Sequence, residues 1–292
     1  MLINLKEMMA LAESKNYAVG SFNTPNLESI MAILQSAEQL QVPVVLNHAE
    51  VHEEVMPLHI IGPIMVDMAK KSTVPVCVHL DHGLTIDYIK QALEIGFSSV
   101  MYDGSILSYE ENVTNTKTVV DMAKKYNASV EAELGIIGGR EDGDGVGEAE
   151  NQYTDPDLAL KFAIETNIDA LACSFGTAHG FYKTTPKLDF DRIRKIRDLT
   201  GLPLVMHGGS GVSSEDYEKA IGHGIRKINY YSYMALAGTK GVKDLLATAD
   251  VFYYHDIVTT AVKVMAENAI EAMGVFYQLK SYKTPTVENQ KG

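Results

Sequence analysis

Hydrophobic positions along this chain fall into two alternating patterns. Eight short runs read as strands: Tyr17–Phe22 (YAVGSF), Pro43–Asn47 (PVVLN), Pro75–Leu80 (PVCVHL), Ser98–Tyr102 (SSVMY), Ala128–Glu133 (ASVEAE), Asp169–Ser174 (DALACS), Pro203–Met206 (PLVM) and Arg226–Asn229 (RKIN). Most are nearly continuous in Val, Ile, Leu, Met and Ala, as strands buried on both faces require. Between them lie segments with helical spacing. Leu27–Leu40 is apolar at 27, 30, 31, 34 and 37, and Glu110–Tyr126, Pro156–Thr166, Asp189–Thr200 and Ser213–Gly222 look similar. Ser213 offers an N-cap before the acidic pair Glu215 and Asp216, and Asp155 does the same before Pro156. Strand and helix alternating eight times, at intervals of about 25–40 residues, predict an α/β chain folded as a (β/α)8 TIM barrel. An open doubly wound sheet is the rival. Its dinucleotide fingerprint is absent, because the first strand runs into GSFNTPN. The reading is one barrel domain over residues 1–280 and a polar tail, SYKTPTVENQKG, over 281–292.

The chain has 292 residues, 46% apolar and 22% charged, the balance of a soluble globule. No apolar run reaches the length of a membrane span. The N-terminal MLINLKEMMALAESKNYAVG mixes charges into its apolar pattern and reads as an amphipathic helix rather than a signal peptide. Lys plus Arg is 25 against 38 for Asp plus Glu, a net charge of −13, which argues against duplex nucleic acid as a partner. A phosphorylated ligand must then be held by a local site, against the overall field. The two cysteines, Cys77 and Cys173, lie far apart in apolar runs and fit a reducing cytoplasm. One long loop, Gly135–Tyr153 (GIIGGREDGDGVGEAENQY), has no apolar period and reads as a lid.

In a barrel of this kind the chemistry sits where strands end. His82, His179 and His207 follow three different strands, each directly before a glycine. Three imidazoles with an open fourth position make a catalytic Zn²⁺ site. His48 and His52 follow the second strand near the same mouth and are candidate substrate contacts. Asp81 and His82 are adjacent, so in a regular strand they would face opposite ways; both reach the site only if the chain is already turning, which Gly83 would permit. After the seventh strand, His207-Gly208-Gly209-Ser210-Gly211 can turn backbone N–H groups toward an anion, and Asn229 and Ser232 after the eighth add donors. Lys183 is a candidate counter-charge. A metal beside a phosphate cradle suits chemistry at a carbonyl next to a phosphate ester, with a carboxylate to move protons. Asp81 is placed for that task, and Glu141 would arrive with the loop.

These residues resemble those of the class II, metal-dependent ketose-bisphosphate aldolases. The likeness runs from about Asn4 to Ala237 through HLDHG (79–83), SVMYDGS (99–105), ENV (111–113), VEAELGIIGGRED (130–142), GTAHGFYKTTPKLDF (176–190), PLVMHGGSG (203–211) and KIN (227–229). The resemblance implies Zn²⁺ on His82, His179 and His207. It implies Asp81 as the acid/base at the oxygen of the bond being made, and Glu141 as the residue exchanging the proton of dihydroxyacetone phosphate. Glu133 is similar to a ligand for an alternative, buried metal position, and Asp103 to a carboxylate near the metal. Gly180, Lys183, Gly208, Gly209, Ser210, Asn229 and Ser232 resemble the cradle of the ketose 1-phosphate, and Asn23 a substrate contact. Bound Na⁺ or K⁺ and a homodimer or homotetramer are further implications. The activity implied is cleavage of a phosphorylated sugar, by default fructose 1,6-bisphosphate, to dihydroxyacetone phosphate and glyceraldehyde 3-phosphate, a glycolytic step.

Two positions depart from the pattern. Ala49 stands where many members have serine, and Tyr231 where a small polar residue often contacts substrate. They put the aldehyde half in question and leave open a ketose 1-phosphate with a non-phosphorylated aldehyde. A Schiff-base aldolase would need a lysine at a strand's C-terminal end, and Lys227 reads as lying at the start of strand eight, on the wrong side. A zinc hydrolase would often pair histidines after strand one, where this chain has Phe22-Asn23-Thr24. A non-catalytic aldolase-like subunit is the remaining alternative.

Overall fold

The computed structural model describes residues 1–138 and 153–280. Eight parallel strands close into a barrel in chain order: β1 (Val19–Asn23), β2 (Val44–Ala49), β3 (Val76–Gly83), β4 (Ser99–Tyr102), β5 (Ser129–Leu134), β6 (Ala170–Cys173), β7 (Leu204–Met206) and β8 (Ile225–Tyr230). β1 pairs with β8 to complete the ring. All eight predicted strands form, with ends moved by a few residues.

Helices α1 (Leu5–Lys15), α2 (Leu27–Leu40), α3 (Leu58–Lys71), α4 (Ile86–Ile95), α5 (Tyr109–Ala123), α6 (Pro156–Thr166), α7 (Phe190–Thr200), α8 (Ser214–His223), α9 (Ser232–Thr248) and α10 (Tyr254–Phe276) accompany them. The caps follow from residue chemistry. Asp155 accepts from the N–H groups of Asp157 and Leu158, with Pro156 at the first position that needs no donor. Ser213 accepts from Asp216. Among the described residues no helix is long and apolar enough to cross a membrane.

Outward strand positions such as Val76, Val78 and Leu80 are fully buried in the hydrophobic core. The barrel interior differs, because its inward positions carry a polar network. Ser21 donates to Asn47, Asn47 to Asn23, and His79 bonds Ser99. Glu131 meets Lys227 across the barrel. Each of these groups is enclosed and each has a partner, the condition under which buried polarity is tolerated. The network holds inward side chains rigidly beneath the mouth where β3, β6, β7 and β8 end.

Candidate active site

β3 delivers two adjacent residues to the mouth. The register with β4 shifts between Leu80 and Gly83, and His82 takes a left-handed backbone, φ 44°. That irregularity lets Asp81 and His82 serve one site. The turn expected at Gly83 is therefore taken one residue earlier. Gly83 is required for a different reason: a Cβ there would lie 2.6 Å from the Met101 carbonyl oxygen.

His82, His179 and His207 converge. Their ligand atoms lie within 4.8 Å of one another, and their ring centroids are 5.1, 4.5 and 5.8 Å apart. His82 Nδ1 is 2.7 Å from Asp103 Oδ2. Asp103 also accepts from the Ser105 backbone N–H (3.1 Å) and hydroxyl (2.6 Å). Burial alone would raise the Asp103 carboxyl. The hydrogen bond and charge of His82, with the Ser105 donors, outweigh it and hold the group well below the usual carboxylate range. An ionised Asp103 only accepts, so His82 Nδ1 carries the proton and Nε2 turns a lone pair toward the cluster. This donor set fits a metal ion: three imidazoles, from the ends of β3 and β7 and the loop after β6, one anchored by a carboxylate, suit Zn²⁺.

Two further groupings adjoin it. His82, Asp103 and Glu133 are close enough to share an ion. Burial, with Asp103 nearby, pushes the Glu133 carboxyl well above its ordinary range, and its Oε2 has no hydrogen-bond partner among the described residues. His79, Asp81 and Glu131 also cluster. There the Lys227 ammonium already supplies the cation, 2.9 Å from Glu131 and 4.0 Å from Asp81. Lys227 is the third of the six residues of β8, short of the mouth as expected, but its side chain lies inside the barrel. It is a fully buried interior residue engaged by Glu131, not a lysine at the mouth available for a Schiff base.

Asp81 is fixed from β8. Asn229 Nδ2 donates to both its oxygens at 3.0 and 3.1 Å. Beside it opens a polar cleft lined by Asn23, His179, Gly180, Gly208, Gly209, Ser210, Asn229, Tyr230, Tyr231 and Ser232. The glycines are there for close approach. Gly208 has φ 63°, and a Cβ on it would fall 2.3 Å from the Ala178 carbonyl oxygen. Ser210 Oγ accepts from the Tyr231 N–H at 3.0 Å. α9 begins at Ser232 with no side-chain cap on its first turn, unlike α1, α2 and α4–α8. Its first turn and positive end adjoin the cleft through Ser232, a favourable setting for an anion.

The remaining expected residues are placed unevenly. Lys183 is exposed and does not line the cleft. Glu141, most of the predicted lid and the tail at 281–292 lie outside the described residues. His48 is buried 2.9 Å from the Tyr88 hydroxyl, which donates to Glu53 at 2.6 Å. Burial, reinforced by His52, pushes the His48 imidazole down to about 4. His52 packs against Tyr231, ring centroids 5.7 Å apart, and so reaches the cleft wall. Sequence reasoning passed over Glu131, although the alternation Ser129, Glu131, Glu133 in SVEAEL marks three inward positions.

Fold and site together define a (β/α)8 barrel enzyme able to hold a metal ion beside an anion cleft. The family model "fructose-bisphosphate aldolase class-II" matches residues 3–280, and the chain belongs to that family. It is 45% identical over 251 residues to a fructose-bisphosphate aldolase of Geobacillus stearothermophilus, covering 84% of this chain and 86% of that one. It is 40% identical over 283 residues to a 6-phospho-5-dehydro-2-deoxy-D-gluconate aldolase of Halalkalibacterium halodurans, covering 94% and 96%. Among solved structures, the YdjI aldolase from Escherichia coli K12 superposes with a TM-score of 0.84 at 33% identity, covering 94% of this chain and 97% of that one.

Proposed function

We propose that this aldolase reversibly cleaves a ketose 1-phosphate to dihydroxyacetone phosphate and an aldehyde, with fructose 1,6-bisphosphate as the default substrate. The observation that carries the reading is the convergence of His82, His179 and His207 beside a glycine-walled cleft, with Asp81 held behind it by Asn229. The three histidines would hold Zn²⁺, and a bound Zn²⁺ supplies Lewis-acid stabilisation of an enediolate oxygen. Gly180, Gly208, Gly209, Ser210 and the first turn of α9 would bind the 1-phosphate. Asn23 and Asn229 orient the three-carbon half, and Asp81, steadied by Asn229, moves the proton at the oxygen of the scissile bond. Glu141 is assigned the carbon proton. Na⁺ or K⁺ near the phosphate and a homodimer or homotetramer complete the proposal.

A second reading concerns the aldehyde alone. Tyr231 against His52, with Ala49 at the end of β2, shapes that side differently from a site built around small polar residues. The two named relatives differ in substrate, which is consistent with a variable aldehyde half. The test is condensation of dihydroxyacetone phosphate with a panel of aldehydes, phosphorylated and not, with and without a chelator. Chelation is expected to abolish turnover and Zn²⁺ to restore it, and the preferred aldehyde decides between the two readings.

A further inference from the structure

The barrel interior holds a buried pair, Lys227 and Glu131, that the proposed reaction does not use and that runs up to His207. Lys227 Nζ lies 2.9 and 3.2 Å from the two oxygens of Glu131. Glu131 Oε1 lies 2.9 Å from His207 Nε2. All three side chains are fully buried. The other ring nitrogen of His207, Nδ1, faces the metal cluster, 2.7 Å from His82 Nε2 and 3.4 Å from Asn229 Nδ2.

A carboxylate paired with an ammonium is an acceptor only, so the nitrogen facing it must carry the proton. We propose that Lys227 and Glu131 form a positioning pair that locks His207 as its Nε2–H tautomer and so presents the Nδ1 lone pair to the metal. The inference rests on the metal reading of the three histidines. It extends that reading inward, to a strand-eight lysine and a strand-five glutamate with no assigned role. A buried ion pair is weak evidence of stabilisation, since apolar or neutral replacements of like volume are often tolerated. Its value here lies in direction: it tells one imidazole which way to hold its proton. Asp103 does the same for His82 with the opposite nitrogen, so the two rings aim different atoms at one point.

The test begins with the metal-free wild-type protein, in which the ¹⁵N shifts of the His207 ring report its tautomer. The Nε2–H form is expected to dominate. Predominance of Nδ1–H overturns the proposal without recourse to any variant. The paired variant Glu131→Gln with Lys227→Met removes both charges and leaves an amide that can donate as well as accept. It is expected to show mixed His207 tautomers and about 10- to 100-fold weaker Zn²⁺ binding in a chelator competition. Lys227→Arg keeps the charge and is expected to retain the wild-type tautomer. A folded paired variant with wild-type tautomer and Zn²⁺ affinity reduces the pair to a structural filler and overturns the proposal. Failure of the wild-type protein to bind Zn²⁺ at all instead overturns the metal reading, which the tautomer measurement does not touch.

Discussion

His82 Nε2 and His207 Nδ1 face each other at 2.7 Å, each ring backed by its own carboxylate, Asp103 behind one and Glu131 behind the other. Two lone pairs at that separation repel unless a cation or proton joins them. Metal binding is therefore expected to stabilise the fold as well as enable catalysis. At free Zn²⁺ one hundred times its dissociation constant the gain is about 2.7 kcal/mol, read as a rise in Tm. His179→Ala should lose both the rise and turnover. Full activity in thoroughly stripped protein would contradict the metal mechanism.

Asp81→Asn preserves size and removes the proton-carrying group. It is expected to lower kcat by about 10²- to 10⁴-fold, with Zn²⁺ content unchanged by elemental analysis. Parallel loss of metal and activity would reassign Asp81 to holding the cluster together.

Gly208→Ala meets two obstacles, the left-handed φ of 63° and the Ala178 carbonyl oxygen 2.3 Å from the new methyl carbon. The backbone there cannot yield as a flexible side chain would. A loss of about 1–3 kcal/mol in urea unfolding is expected. KM for dihydroxyacetone phosphate should rise while KM for the aldehyde holds. The opposite split would remove Gly208 from the phosphate cradle.

His48 makes stability pH-dependent. Its imidazole titrates at about 4 in the fold against an ordinary 6.5. Between those values the unfolded chain binds a proton that the folded chain refuses, so stability falls as pH drops through the window and recovers above it. The contribution is about 3 kcal/mol. His48→Gln should flatten the unfolding free energy between pH 6.5 and 4 relative to wild type. An unchanged slope would show that the buried ring accepts its proton without penalty.

Tyr231 lines the cleft and packs on His52. Tyr231→Ala is expected to reorder aldehyde preference by about 10- to 200-fold, the range a changed pocket contact supplies. Identical rankings across the aldehyde panel would place the aldehyde elsewhere.

Strand periodicity carried the barrel because each strand is sealed by helices outside, and outward residues such as Val76, Val78 and Leu80 report that burial directly. The three histidines were legible for a related reason: each directly precedes a glycine at or beyond the end of a strand. Glu131 and Lys227 were harder to read. Charged residues in a short run suggest an exposed edge, and only the closed barrel, with β5 facing β8 across its interior, turns them into partners. The backbone excursion at His82 was also hidden, because a neighbouring glycine offered a cheaper place for the same bend.

The left-handed backbone at His82 has a consequence for how this protein can change. A non-glycine residue in that conformation costs on the order of 1–3 kcal/mol, so replacing His82 with glycine should relieve the main chain while deleting a ligand. The relief would show only in metal-free protein, because with Zn²⁺ present the lost ligand takes its stabilisation away. A stabilisation campaign scored on stripped protein would therefore need to hold residue 82 fixed.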